Sequence, residues 1–153
     1  KGDFVQGSSP QTLDGKGRFS IPVAFREELV KLAQGEALAL VWNPDGGQLT
    51  LYPQQDWLPY QKMLEKIDDF DPVRGPVKDT MLSSLQWIEP KDLGERILIS
   101  AGLRDMARLE KEKEIIVNMR DRVLQIWNRE QWTEHQELAR QAFRTMSNFW
   151  EGL

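Results

Sequence analysis

The sequence predicts an α+β fold made of two related halves. Three observations carry this expectation. A motif set recurs along the chain, short apolar runs alternate with turn signals, and prolines or capping residues precede stretches with helical spacing. In the recurrence, Asp14 and Asp92 stand 78 positions apart, as do Arg18 and Arg96, Ile21 and Ile99, and Arg26 and Arg104. Further on, "LYPQQDW" at 51–57 answers "IWNREQW" at 126–132, which places Trp57 and Trp132 75 positions apart. The shorter interval fits a shorter hairpin loop, "MRDR" at 119–122 in place of "NPDGGQ" at 43–48. Both copies then run turn, short strand, helix, strand, hairpin, strand and helix start. An internal duplication explains this order, with two small units burying their apolar faces against each other about a pseudo-two-fold axis.

Taken in order, Phe4–Ser8 reads as a short strand, Asp14–Arg18 as a turn and Phe19–Ile21 as extended chain. Pro22 opens a helix with Phe25, Leu29 and Leu32 on one face, and Gly35 ends it. Leu38–Trp42 is a buried strand and Leu49–Tyr52 its hairpin partner. Pro53 starts a helix carrying Trp57, Tyr60, Met63, Leu64 and Ile67, closed by the acidic run Asp68–Asp71. A second helical stretch falls near Pro76–Leu85. After the second copy, Trp132, Ala139, Phe143, Met146 and Trp150 recur at helical spacing in a terminal helix. That stripe packs either on its own domain or on a partner subunit. The expected units are a first half over 1–60, a helical connector over 61–81, a second half over 82–132 and a C-terminal helix over 133–153.

Composition narrows the function. A chain of 153 residues, 40% of them hydrophobic, can build one domain or two small lobes sharing a core. No cysteine is present, which excludes disulfides and thiolate metal sites and fits a reducing cytoplasm. No apolar run approaches the ~20 residues of a membrane span, so no membrane partner is expected. No signal peptide is visible, and a chain starting at Lys1 is read as having lost its native start. The formal charge of −4 works against nucleic acid, but charges are screened over ~8 Å, so a local basic patch can act on an acidic protein.

Such a patch is visible in "LDGKGRFSIPVAFREEL" at 13–29, where Lys16, Arg18 and Arg26 accompany two glycines. Gly15 and Gly17 free the backbone to approach a charged surface closely. Arg18 or Arg96 can make a bidentate pair with guanine O6 and N7 or clamp phosphate. Lys16 suits phosphate as a point charge. Asp14 and Asp92 would be repelled by phosphate. They are expected to accept hydrogen bonds from their own turns or to orient the arginines. Arg26 and Arg104, on helices, either neutralise phosphate or pair with nearby carboxylates.

Enzyme chemistry finds no support. "GKGR" lacks the spacer and following Ser or Thr of a nucleotide-binding loop. Asp68–Asp71 lacks EF-hand spacing. His135 is the only histidine, so one chain cannot build a histidine metal site, and Ser8, Ser9 and Ser20 have no visible base. No cofactor is expected.

The two D-x-x-x-R turns, with Ile21–Pro22 and Arg26 after the first and Ile99 and Arg104 after the second, resemble the MraZ family of bacterial transcription regulators. "LYPQQDW" is similar to that family's strand-to-helix step, and the resemblance covers nearly the whole chain. It implies an AbrB-like (SpoVT/AbrB) swapped-hairpin β-barrel core with flanking helices. It also implies sequence-specific binding of double-stranded DNA at promoter repeats of the cell-division and cell-wall gene cluster, as a ring-like homo-oligomer in the cytoplasm and on the nucleoid. The DNA-binding residues would be Lys16, Arg18, Arg26, Arg96 and Arg104, with Asp14, Gly15, Gly17 and Asp92 orienting the loops. The second copy departs from the pattern: Gly94 replaces Lys16, Glu95 replaces Gly17 and Ser100 replaces Pro22. That removes one cation and adds one anion beside Arg96. The competing reading is an assembly module that keeps the barrel and has little DNA affinity; steep salt dependence of DNA binding separates the two.

Overall fold

The computed structural model describes residues 5–153. Eight strands and five α-helices follow in the order β1 (Gly7–Thr12), β2 (Arg18–Phe19), α1 (Val23–Ala33), β3 (Leu38–Trp42), β4 (Leu49–Pro53), α2 (Gln54–Glu65), α3 (Arg74–Ser84), β5 (Gln86–Ile88), β6 (Ile97–Leu98), α4 (Ala101–Ala107), β7 (Glu114–Arg120), β8 (Val123–Asn128) and α5 (Arg129–Thr145). A one-turn 3₁₀ helix, Pro90–Asp92, precedes β6. The class is α+β with antiparallel pairing throughout.

Six strands form a sheet in the order β1-β7-β8-β4-β3-β5, and β2 pairs with β6 in a separate ribbon. The order is palindromic: exchanging β4 with β8, β3 with β7 and β1 with β5 returns the same sheet. At its centre Thr50 of β4 lies opposite Gln125 of β8, residues that hold equivalent places in the two copies. Phe19 lies opposite Ile97 in the ribbon, again an equivalent pair. The six-stranded sheet keeps two edges among the described residues, and no closed barrel of the kind the family resemblance implies is detected. One edge, β1, carries Pro10, which an edge strand tolerates because one side of its backbone needs no ladder bond.

Local chemistry accounts for the elements. β3 and β4 are almost wholly buried, so they read as short continuous apolar runs. The long hairpin Asn43–Gln48 joins them, while β7 and β8 meet across Asp121–Arg122 with Asp121 at φ 54°. α1 follows Pro22 with no side-chain cap, whereas α4 is capped by Ser100, whose hydroxyl accepts the Leu103 N–H at 3.4 Å. The replacement of Pro22 by Ser100 therefore keeps a helix start by another means. α1 ends on Gln34 in the left-handed region, followed by Gly35 at φ +80°.

Several boundaries differ from the sequence expectation. The strand expected over Phe4–Ser8 falls partly outside the described residues, and the observed strand is Gly7–Thr12. α2 crosses the expected boundary at residue 60, because Pro53 starts a helix that continues to Glu65. The terminal helix starts at Arg129 rather than 133, since the Asn128 side chain caps it by accepting the Glu130 and Gln131 N–H groups at 2.8 and 3.1 Å. It stops at Thr145, before Trp150.

The main core lies between the inner sheet face and the ribbon with α1 and α4. Phe19, Ile21, Phe25 and Leu29 from the first half meet Ile97, Ile99, Leu103 and Ile115 from the second. Truncating one such residue to alanine costs about 2–5 kcal/mol, enough to threaten a domain of this size. On the opposite sheet face a smaller cluster of Ala39, Val41 and Trp57 sits under α2 and α3. A bidentate ion pair ties the halves together: Arg122 Nε and Nη2 donate to Asp56 Oδ2 and Oδ1 at 2.7 and 3.1 Å.

Candidate nucleic-acid interface

The first basic loop is built around Asp14. Its Oδ1 accepts the backbone N–H groups of Lys16 and Arg18, each at 2.9 Å. The chain closes on itself as the Asp14 N–H donates to the Arg18 carbonyl at 2.8 Å and the Gly17 N–H to the Asp14 carbonyl at 3.0 Å. These bonds, chiefly the one from Arg18, hold the Asp14 carboxyl below the usual carboxylate range despite partial desolvation, and Arg96 adds to the effect. Gly17 at φ +83° occupies backbone space that side-chain-bearing residues resist. The guanidinium of Arg104 lies directly over it, where a Cβ would sit. Gly15 has no such restriction.

The two halves cross here. Arg96, from the second copy, reaches the first loop, and its Nε donates to Asp14 Oδ2 at 3.1 Å. Arg104, half-buried on α4, donates through Nη1 to the Ile99 carbonyl and roofs Gly17. The reciprocal approach is looser. Arg26 on α1 passes the second loop with Nη1 3.8 Å from the position of a Cβ on Gly94.

Asp92 does not repeat the Asp14 arrangement. It ends the 3₁₀ turn, and its backbone carbonyl accepts the Glu95 N–H at 3.1 Å; no side-chain hydrogen bond of Asp92 occurs among the described residues. The neighbouring Leu93 is buried, so this segment is anchored by packing rather than by a carboxylate.

The ribbon alternates as a half-buried pair should. Phe19 and Ile97 point into the core, while Arg18 sits opposite Leu98 with both exposed. No carboxylate among the described residues pairs with Arg18, and Lys16 is exposed beside it. Arg18 and Arg96 share a concavity of about 580 Å³ with Asp92, Glu95, Trp87 and Leu98. Its floor therefore carries two cations and two anions. Gln86 braces it: Nε2 donates to the Leu98 carbonyl at 2.8 Å and Oε1 accepts the Ser100 N–H at 3.1 Å.

The structure thus gathers Asp14, Lys16, Gly17, Arg18, Arg96 and Arg104 at one end, with Arg26 against the other loop. Sequence reading missed Gln86, Trp87 and Leu98. Leu98 could have been found as the exposed member of the alternation Ile97–Leu98–Ile99; Gln86 could not, because its partners lie twelve and fourteen positions away. The described residues contain no cluster of His, Asp or Glu able to hold a metal ion, and no helix is long and apolar enough to cross a membrane.

Residues 92–148 match a family model described as "MraZ protein, putative antitoxin-like". A protein of Histophilus somni strain 129Pt named transcriptional regulator MraZ is 33% identical over 84% of this chain and 82% of its own length. Proteins of the same name from Dechloromonas aromatica and Nitrosospira multiformis are 32% and 31% identical, covering 91% and 89% of this chain and 90% and 89% of their own. With these relatives more than 30% identical over most of both chains, this chain belongs to the MraZ family.

Proposed function

We propose that this protein is a sequence-specific DNA-binding transcriptional regulator without enzymatic activity. It acts in the cytoplasm on the nucleoid, as a ring-like homo-oligomer built on a duplicated AbrB-like core. Its targets are repeated promoter boxes of the cell-division and cell-wall gene cluster. The observation that carries the reading is Arg18: exposed, unpaired among the described residues, and mounted on a loop whose backbone Asp14 already holds in place. A loop ordered before contact loses little further entropy on binding. Lys16 and Arg26 add phosphate contacts, and Arg96 and Arg104 contribute from the second copy. The relatives' shared name, transcriptional regulator MraZ, supports the same role.

One protomer presents few cations on an acidic chain, so affinity arises when several protomers engage several boxes, a gain of ~10²–10⁴ without new kinds of contact. The test is a mobility-shift titration with DNA from upstream of this protein's own gene, at several salt concentrations and with one-box and three-box probes. Affinity should fall steeply with salt, and the three-box probe should bind far tighter than the one-box probe. Salt-insensitive binding, or none, favours the assembly-module reading instead.

A further inference from the structure

We propose that Asp92 is a positioning residue for Arg18: when Arg18 meets guanine, its Nε turns onto the Asp92 carboxylate and its two Nη groups stay free for the base. The inference rests on base reading by Arg18, proposed above, and names the group that holds the reader. The template lies in the other copy, where Asp14 is equivalent to Asp92 and Arg96 to Arg18. Arg96 donates from Nε to Asp14 Oδ2 at 3.1 Å. No other side-chain bond of Arg96 occurs among the described residues, and 52% of its side chain is exposed. A guanidinium held through Nε alone keeps its Nη1–Nη2 edge open, and that edge matches O6 and N7 of guanine.

The reciprocal pair is assembled but not joined. Arg18 and Asp92 are both exposed and line the same concavity of about 580 Å³. No ion pair between them occurs among the described residues. Asp14 divides its carboxylate, with Oδ1 on two loop amides and Oδ2 on Arg96. Asp92 has no amides to hold, because its turn is closed by backbone bonds, so both oxygens remain for Arg18. In water the two stay apart, since an exposed ion pair gains little and has to order a long side chain. Guanine removes that cost by ordering the guanidinium itself, and a closed interface strengthens the attraction by excluding water. Pairing also neutralises Asp92, which alone would repel phosphate. Glu95 lines the same concavity, but its counterpart in the first copy is Gly17, which has no side chain. The duplication therefore selects Asp92.

The test is a mobility-shift titration of the full chain on DNA from upstream of its own gene, and on the same duplex carrying 7-deazaguanine in place of guanine. Asp92→Asn removes the charge and keeps the shape; the side chain bonds nothing among the described residues, so circular dichroism should match the wild type. Loss of an anion beside phosphate would by itself tighten binding. Positioning gives the opposite sign: Asp92→Asn should weaken binding to the guanine duplex by about tenfold, the scale of one charge-assisted hydrogen bond. It should not weaken binding to the 7-deazaguanine duplex, which has no N7 for Arg18 to meet. In an Arg18→Ala background it should weaken binding to neither. Glu95→Gln should weaken binding to neither duplex. If Arg18→Ala weakens binding to the guanine duplex while Asp92→Asn leaves it unchanged or tighter, the inference is overturned and base reading by Arg18 stands. An Asp92→Asn loss that persists on 7-deazaguanine or without Arg18, or a guanine-specific loss from Glu95→Gln, would overturn it as well. A wild type indifferent to both Arg18→Ala and 7-deazaguanine would overturn base reading by Arg18 and the inference with it.

Discussion

The two D-x-x-x-R turns share a spacing and differ in almost everything that spacing does not record. The first turn is held by a carboxylate, contains a left-handed glycine and leaves its arginine exposed without an acidic partner among the described residues. The second is held by a 3₁₀ turn and the buried Leu93, carries Glu95, and commits its arginine to Asp14 of the other copy. A duplicated motif therefore supplies one turn suited to presenting a cation and another suited to supporting it. Arg96 and Arg104 both brace the first loop. The reciprocal approach of Arg26 to the second loop is looser, with Nη1 3.8 Å from the place of a Cβ on Gly94.

The largest effect should come from the presented arginine. Arg18→Ala should weaken promoter binding by roughly 1–3 kcal/mol for each bidentate base pairing it removes, whereas Arg96→Ala should cost less. Mobility shifts on both variants check this, and equal effects would show that the two turns work alike.

Next come the glycines. Gly17→Ala places a Cβ where the Arg104 guanidinium lies, at a φ that alanine resists, and should destabilise the protein by about 1–3 kcal/mol. Gly94→Ala has its nearest neighbour at 3.8 Å and should stay within about 0.5 kcal/mol. Urea denaturation separates them; a similar destabilisation by both would mean that Arg104 yields freely.

A smaller change is expected from Glu95→Gly, which removes an anion from the concavity shared by Arg18 and Arg96. Binding should tighten severalfold at low salt and return towards wild type as salt rises, since exposed charges are screened. A gain that persists at high salt would point to a change in loop shape instead of charge.

The smallest effect is on pH dependence. The Asp14 carboxyl is held below its ordinary value of 3.8, so its contribution to loop order is complete above that value and disappears as pH falls through the lower folded-state value. The protection of the Lys16 and Arg18 amides, taken relative to their intrinsic exchange rates, should be constant above about pH 5 and fall only in acid. Asp14→Asn keeps an acceptor for the two amides but gives up the ion pair with Arg96, and should remove that acid step.

Much of the architecture was legible locally. β3 over Leu38–Trp42, the β3–β4 hairpin and the helices starting at Pro22 and Pro53 each leave a pattern within a few residues of themselves. The repeated motif located both turns and their cations. Burial periodicity, turn residues and caps are properties of a short stretch, so most elements and their order follow from sequence alone, while β5 and the place of β1 do not. It could not determine which turn supports the other. Arg96 meets Asp14 across 82 positions, Arg104 roofs a glycine of the opposite copy, and Thr50 faces Gln125 across the sheet centre. An apolar groove under α2 likewise exists only once α3 folds over β3. Those partnerships arise when distant segments close on a shared core, and the free energy that selects them belongs to packing between elements, which no single stretch of chain records.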